Sequence, residues 1–135
     1  MSTVIRNEVS RRNPYYVNKH RTLELKHFCM QFEDWKQEYV KLIVLKSYGY
    51  GEVKGSDISD QTSKVAMRAA ELDQKMTMVK KCCKEAGGDI WTWLFMGVTC
   101  GLSYGTLQAR GLPCGKDYYY ERYRKFFWLL DKERG

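Results

Sequence analysis

Seven residues narrow the fold before anything else is read. Val65, Ala69, Leu72, Met76, Val79, Cys83 and Ala86 follow one another at alternating steps of four and three. That rhythm is a single stripe of an α-helix, an a/d seam kept over three heptads. The segment that carries it, Gln61–Ala86, contains no glycine and no proline. At 1.5 Å per residue it makes a rod of roughly 39 Å. The chain has 135 residues, room for one ordinary domain, so a rod of this length is its spine. The chain holds only two prolines, Pro14 and Pro113. The expectation is an all-α fold, a small helical bundle with a long central helix. The seam has two open uses. It can pack against helices of its own chain, or pair with its twin in a homodimer through Val65, Ala69, Leu72, Met76, Val79 and Cys83.

The flanking segments divide the chain into an arm and helical segment at 1–46, a Gly-rich linker at 47–60, and the rod with all that follows at 61–135. Met1–Asn13 is polar and carries Arg6, Arg11 and Arg12, the composition of a frayed terminus. Pro14-Tyr15-Tyr16-Val17 reads as a first turn or as extended chain packed on the bundle. From Asn18 the pattern is helical, with Phe28, Phe32, Trp35, Tyr39 and Leu42 on one face and an open break at Glu33-Asp34. Gly49, Gly51 and Gly55 end any helix in the linker, with Tyr48 and Tyr50 placed to tuck back on the core. Asp57, Ser59 and Asp60 are candidate N-caps for the rod. Gly87-Gly88 stops it and Asp89 is expected to cap the next helix. That helix, with Ile90, Leu94 and Val98 on one row and Trp91 and Phe95 on another, is apolar nearly all round and hence central. Its tryptophans read as core.

The last third carries the candidate site. Gly101 is suited to the left-handed residue that closes a helix. Ser103 is an N-cap for a short helix whose inward residue is Leu107. Gly111 and Pro113 mark a turn. A basic aromatic helix then runs from Gly115 into Lys132. On it Tyr119, Tyr123, Phe126, Phe127 and Leu130 form a buried stripe. Its first turns offer Lys116, Asp117, Tyr118, Tyr120, Glu121, Arg122 and Arg124. A short helix, a turn with glycine and a longer basic helix describe a helix-turn-helix, in which the second helix faces the major groove.

Gly-Leu-Ser-Tyr, then a Leu, a Gly, a short turn and a basic helix, resembles the fourth region of sigma factors over about Ile90–Leu130. It is also similar to the small phage late-gene transcription activators of the RinA and ArpU type. The resemblance implies a short, all-helical protein with a sigma-like helix-turn-helix near its C-terminus. The turn departs from that pattern in carrying Pro113 and Cys114, and the helix has tyrosines where the family has more Arg and Lys.

Composition sets the partner class. The net charge is +7, which attracts polyanions. By thirds of the chain the excess is spread out: 9 basic against 5 acidic residues over 1–46, 7 against 6 over 47–88, and 7 against 5 over 89–135. The five cysteines are Cys29, Cys82, Cys83, Cys100 and Cys114. They are odd in number, with no C-x-x-C and no signal peptide before them, so they read as reduced thiols of a cytoplasmic protein. No apolar run has membrane-span length. His20 and His27 lie two turns apart, too far to share a metal ion without a third element. No cofactor or metal motif occurs, and no P-loop, G-x-S-x-G or paired carboxylates. An enzyme is not expected. Cys114, near a helix N-terminus and beside Lys116, is placed for a lowered thiol pKa.

Two functional expectations stand. One is a phage or prophage DNA-binding transcriptional regulator. It would meet double-stranded DNA through Ser103, Arg110, Lys116, Asp117, Tyr118, Tyr120, Arg122 and Arg124. The other is a phage-encoded factor that binds a host nucleic-acid-binding protein, such as RNA polymerase or a CRISPR or other defence nuclease, through the aromatic C-terminal face.

Overall fold

Asn18 begins the first helix. Its side-chain oxygen accepts the backbone N–H of His20 at 2.9 Å, satisfying one of the donors a helix start leaves open. The computed structural model describes residues 11–48 and 56–135. Among them it is all helix and turn, with no strand. The helices are α1 (Lys19–Cys29), α2 (Phe32–Tyr48), α3 (Ser56–Gly87), α4 (Trp91–Cys100), α5 (Tyr104–Ala109) and α6 (Lys116–Arg134), with a 3-10 turn at Gly88–Ile90. None is long and apolar enough to cross a membrane.

Several boundaries differ from the sequence expectation. The break after α1 falls at Met30-Gln31, not at Glu33-Asp34. Those two acids instead occupy the first turn of α2, where the helix dipole favours them. The rod begins at Ser56 and not at Gln61, so the three candidate caps lie inside it; Asp60 instead pairs with Lys64 at 3.4 Å. Helix also enters the expected 47–60 linker from both sides. Gly49, Gly51, Gly55 and Tyr50 lie outside the described residues, as does the arm as far as residue 10, so the expected tuck of Tyr48 and Tyr50 is not described. Asp89 does not cap α4, whose N-cap position, Ile90, has no side-chain bond.

The chain gathers into two units. Unit 1 comprises residues 11–31 and 78–135 of the described chain, unit 2 residues 32–48 and 56–77, and α3 contributes to both.

In unit 2, α2 and α3 form an antiparallel hairpin. Phe32, Trp35 and Leu72 are buried, and the Lys75 ammonium lies 5.6 Å from the Trp35 ring centre. Arg68 grips Glu38 with both arms, at 2.7 and 2.9 Å. That hydrogen bonding holds the Glu38 carboxyl below its ordinary pKa.

In unit 1, α4 is the central post, packed by α1, α5 and α6. Its Leu94, Gly97 and Val98 are buried beside Leu25, Leu107, Phe126 and Leu130. Each large aliphatic side chain so buried contributes about 1.5–3 kcal/mol. Gly101 closes α4 at φ +69°, and Leu102 N–H returns to the Gly97 carbonyl at 3.0 Å, as expected of a glycine C-cap. Below α1, Asn13 folds residues 13–16 into an Asx turn, its side chain accepting Tyr15 N–H at 2.8 Å. Tyr15 then meets Trp128 edge-on at 5.4 Å. Trp91, Trp93 and Phe95 stay partly exposed, so these rings are not the sealed core expected of them.

Gly97 admits its neighbour by having no side chain. A Cβ there would overlap the Tyr119 hydroxyl and stand 3.1 Å from a Leu107 methyl. The Tyr119 ring cannot swing clear, because Tyr104, Tyr120 and Tyr123 surround it at 5.2–6.1 Å. Gly97→Ala is therefore expected to destabilise unit 1 by about 1–3 kcal/mol, outweighing the helix propensity of alanine. Urea denaturation followed by circular dichroism measures this; an unchanged midpoint would show that the ring has room to shift.

Candidate nucleic-acid interface

The site is built from a short helix, a locked turn and a long helix. Ser103 caps α5: its Oγ accepts Thr106 N–H at 3.2 Å and lies 3.1 Å from Thr106 Oγ1. Leu107 is buried on the inner side. The turn runs Arg110–Gly115, six residues, longer than the three or four of a compact helix-turn-helix. Gly111 takes φ +113° and lies against the Trp93 ring. Leu112 is buried and returns its N–H to the Leu107 carbonyl at 3.0 Å. Tyr104 Oη donates to the Cys114 carbonyl at 2.8 Å, tying the far end of the turn back to α5.

The buried stripe of α6 is as expected for Tyr119, Phe126, Phe127 and Leu130. Tyr104, Tyr119, Tyr120, Tyr123 and Phe127 form a continuous ring cluster with centroids 4.9–6.3 Å apart. Such pairs contribute roughly 0.5–1.5 kcal/mol each beyond their area. Burial pushes the Tyr119 and Tyr123 hydroxyls above their ordinary pKa. Tyr120 belongs to this cluster and is half-buried, so its ring serves packing before contact.

The polar candidates separate into groups. Lys116 and Asp117 are exposed in the first turn of α6, and Arg110 is exposed on the turn, its Nη1 3.7 Å from Met96 Sδ. Tyr118 and Arg122, one helical turn apart, are joined: the guanidinium lies 4.6 Å from the ring centre, and its Nη2 donates to Tyr118 Oη at 3.1 Å. That hydroxyl donates to Asp89 Oδ1 at 3.2 Å. The half-exposed Arg124 is two residues from Arg122, hence about 200° around the helix and on the other flank. Among the described residues neither Lys116 nor Arg124 has an acceptor. The two arginines thus cannot address one groove wall together. Lys125 lies on the ridge between them, a position legible from the helical spacing but not singled out.

Asp89 was also missed as a partner. It lies 29 residues from Tyr118 in the chain, and no local pattern announces such a pair. Cys114 reverses its expectation, since burial and then the nearby Asp89 charge raise its thiol pKa. Cys29, Cys82 and Cys83 are buried free thiols, and burial pushes Cys82 up to about 12; Cys100 is exposed and Cys114 partly so. Among the described residues no group of His, Cys, Asp and Glu side chains could hold a metal ion.

Folding redistributes the charge that looked even along the chain. Among the described residues unit 1 has 15 Lys and Arg against 7 Asp and Glu, a net +8. Unit 2 has 6 against 7, a net −1. The excess thus belongs to the unit that contains α5 and α6.

No family model, no curated protein and no solved structure matches this chain.

Tyr104→Phe removes the bond that closes the turn and leaves the Cys114 carbonyl without it. The expected cost is about 1 kcal/mol, with faster amide exchange across residues 110–115. Unaltered exchange there would mean that the turn is held by Leu112 alone.

Proposed function

We propose that the protein is a DNA-binding transcriptional regulator of the phage late-gene activator kind, with α5 and α6 as a sigma-like helix-turn-helix. The observation that carries this reading is the segregation of charge: the net +8 lies on the unit with the paired helices, and unit 2 is nearly neutral. A localised excess of cations is the electrostatic footprint of a polyanion surface. On it Lys116, Arg122, Arg124 and Arg110 contact phosphates or base edges, and Tyr118 adds its hydroxyl. Ser103 and Asp117 flank the two helix starts, and Tyr120 braces the ring cluster. The Tyr118–Asp89 bond gives the same face an internal carboxylate that a DNA phosphate would displace.

A second reading has its own support. The Tyr118 hydroxyl is already engaged, by Arg122 on one side and Asp89 on the other, and half-exposed aromatic rings with arginines beside them suit a protein-binding surface. In this reading the partner is a host nucleic-acid-binding protein such as RNA polymerase or a defence nuclease.

Fluorescence anisotropy with random-sequence duplex DNA separates the two. Lys116→Ala combined with Arg122→Ala is expected to weaken binding and to reduce the slope of log K against log salt by about 2. Asp89→Ala, which removes the acceptor of the Tyr118 hydroxyl and the carboxylate charge beside it, is expected to tighten binding about fivefold, the equivalent of about 1 kcal/mol. Affinity and slope that ignore all three substitutions would remove α6 from the DNA-binding surface and leave the protein-binding reading.

A further inference from the structure

The heptad seam of α3 is used within the chain, since Leu72, Val79 and Cys83 are buried. The outer arc of α6 is open. Tyr119, Phe126, Phe127 and Leu130 set the buried side of this helix. At about 100° per residue, the opposite side runs in the order Arg124, Glu121, Lys125, Arg122, at steps of about 60°, 40° and 60°. Glu121 is exposed and the other three are half-exposed. The arginines therefore mark the two edges of the arc. Glu121 and Lys125 fill its middle, one helical turn apart.

Among the described residues neither Glu121 nor Lys125 has a hydrogen-bond or ion-pair partner. Their spacing permits only a weak surface pair, which a ligand displaces at little cost. Glu121 is the informative member. A carboxylate in the middle of a cationic arc repels phosphate, and Asp117, exposed one turn earlier, repeats the effect. An arc that only gripped a nucleic-acid backbone would be better served by a neutral or basic residue there. A carboxylate becomes useful where the arc meets base edges, because an ionised carboxylate accepts hydrogen bonds and donates none. In the major groove the usual partner of Glu is the cytosine N4 amino group, and that of Lys is guanine O6 and N7. The dimensions agree: a helix about 10–12 Å across fills a groove about 12 Å wide. The middle of its outer arc then points at the base edges, and the two edges of the arc point at the two strands.

We propose that Glu121 reads a cytosine and Lys125 a guanine in the major groove, with Arg122 and Arg124 each holding the backbone of a different strand. Four residues of helix advance about 6 Å, so the two bases lie within about two steps of one another. Trp128, further along the arc, has Tyr15 against its edge and Lys132 over its face, so the reading surface ends before it. This assignment rests on the DNA-binding reading of α6 and adds what that surface discriminates.

Selection of bound duplexes from a random-sequence pool by the full chain, with sequencing of the bound fraction, tests it. The wild type should enrich a motif that contains a cytosine and a guanine. Glu121→Ala should lose the cytosine and keep the rest of the motif, and Lys125→Ala should lose the guanine. Glu121→Gln should move the preference at its position from cytosine to adenine, since an amide pairs with adenine N6 and N7. A purely structural role for Glu121 gives no such move. On the selected duplex, replacing the cytosine should weaken wild-type binding about tenfold and leave Glu121→Ala almost unaffected. Arg122→Ala and Arg124→Ala should weaken binding to selected and random duplex alike. A motif unchanged in Glu121→Ala and Lys125→Ala overturns the assignment and leaves the DNA-binding reading standing. So does a wild type that binds random duplex and enriches nothing. No binding of random duplex at low salt removes that reading, and the assignment with it.

Discussion

The approach of Gly97 to the Tyr119 hydroxyl is the contact on which unit 1 depends. It sets the distance between α4 and α6, and it does so with a backbone surface and not with an adjustable side chain. Tyr119 in turn anchors the ring cluster that joins α5 to α6 through Tyr104. Among the described residues the hydroxyl has no hydrogen-bond partner, an unusual cost for a buried polar atom. A phenylalanine would fill most of the same volume without that cost, so the oxygen marks how closely the ring tip is pressed to the glycine. Shape here outweighs polar satisfaction.

Around this core the positive charge does two jobs. Lys84 lies over Trp91, Lys132 over Trp128, Arg134 over Phe28 and Lys26 over Tyr123, at 3.8–5.6 Å. Each lays its cationic group over the face of a ring, whose electron-rich surface attracts it. Two further cations are taken by acids, Arg21 by Asp131 and Lys81 by Glu133. The net charge of unit 1 therefore overstates the cations that a polyanion could engage without disturbing packing. Those on α6 least tied to neighbours among the described residues are Lys116, Arg124 and Lys125, with Arg122 held in a bond that a phosphate can compete for.

How much of this was legible in the sequence follows from the range of each interaction. Ser103, Gly101 and Leu107 were readable because caps and helix faces are decided within a turn or two of chain. The stripe of α6 was readable for the same reason. Asp89 was misread because its partner is distant: local rules offered a cap, and Tyr118 claimed the carboxylate. Cys114 was misread because proximity to Lys116 in sequence is not proximity in space, and burial decided the sign of its shift. Gly97 gave no signal, since a glycine in an apolar helix explains itself only once the ring that touches it is known. The charge segregation was hidden because the units are not contiguous: residues 11–31 join residues 78–135, so any division by thirds averages over them.

The two units also differ in what they leave exposed, and that difference bears on how a small basic protein could reach useful affinity. On the proposed DNA-binding reading, a head with Lys116, Arg122 and Arg124 would engage few phosphates, and Arg122 and Arg124 face different flanks. Each phosphate contact is weakened as salt rises, so one head alone would bind weakly at physiological ionic strength. Lengthening the basic surface would strengthen it but would also add repulsion within the fold. What the fold does provide is a difference of balance: the net positive charge and most of the aromatic rings belong to the unit with the paired helices, and the hairpin is nearly neutral and has more of the alanines.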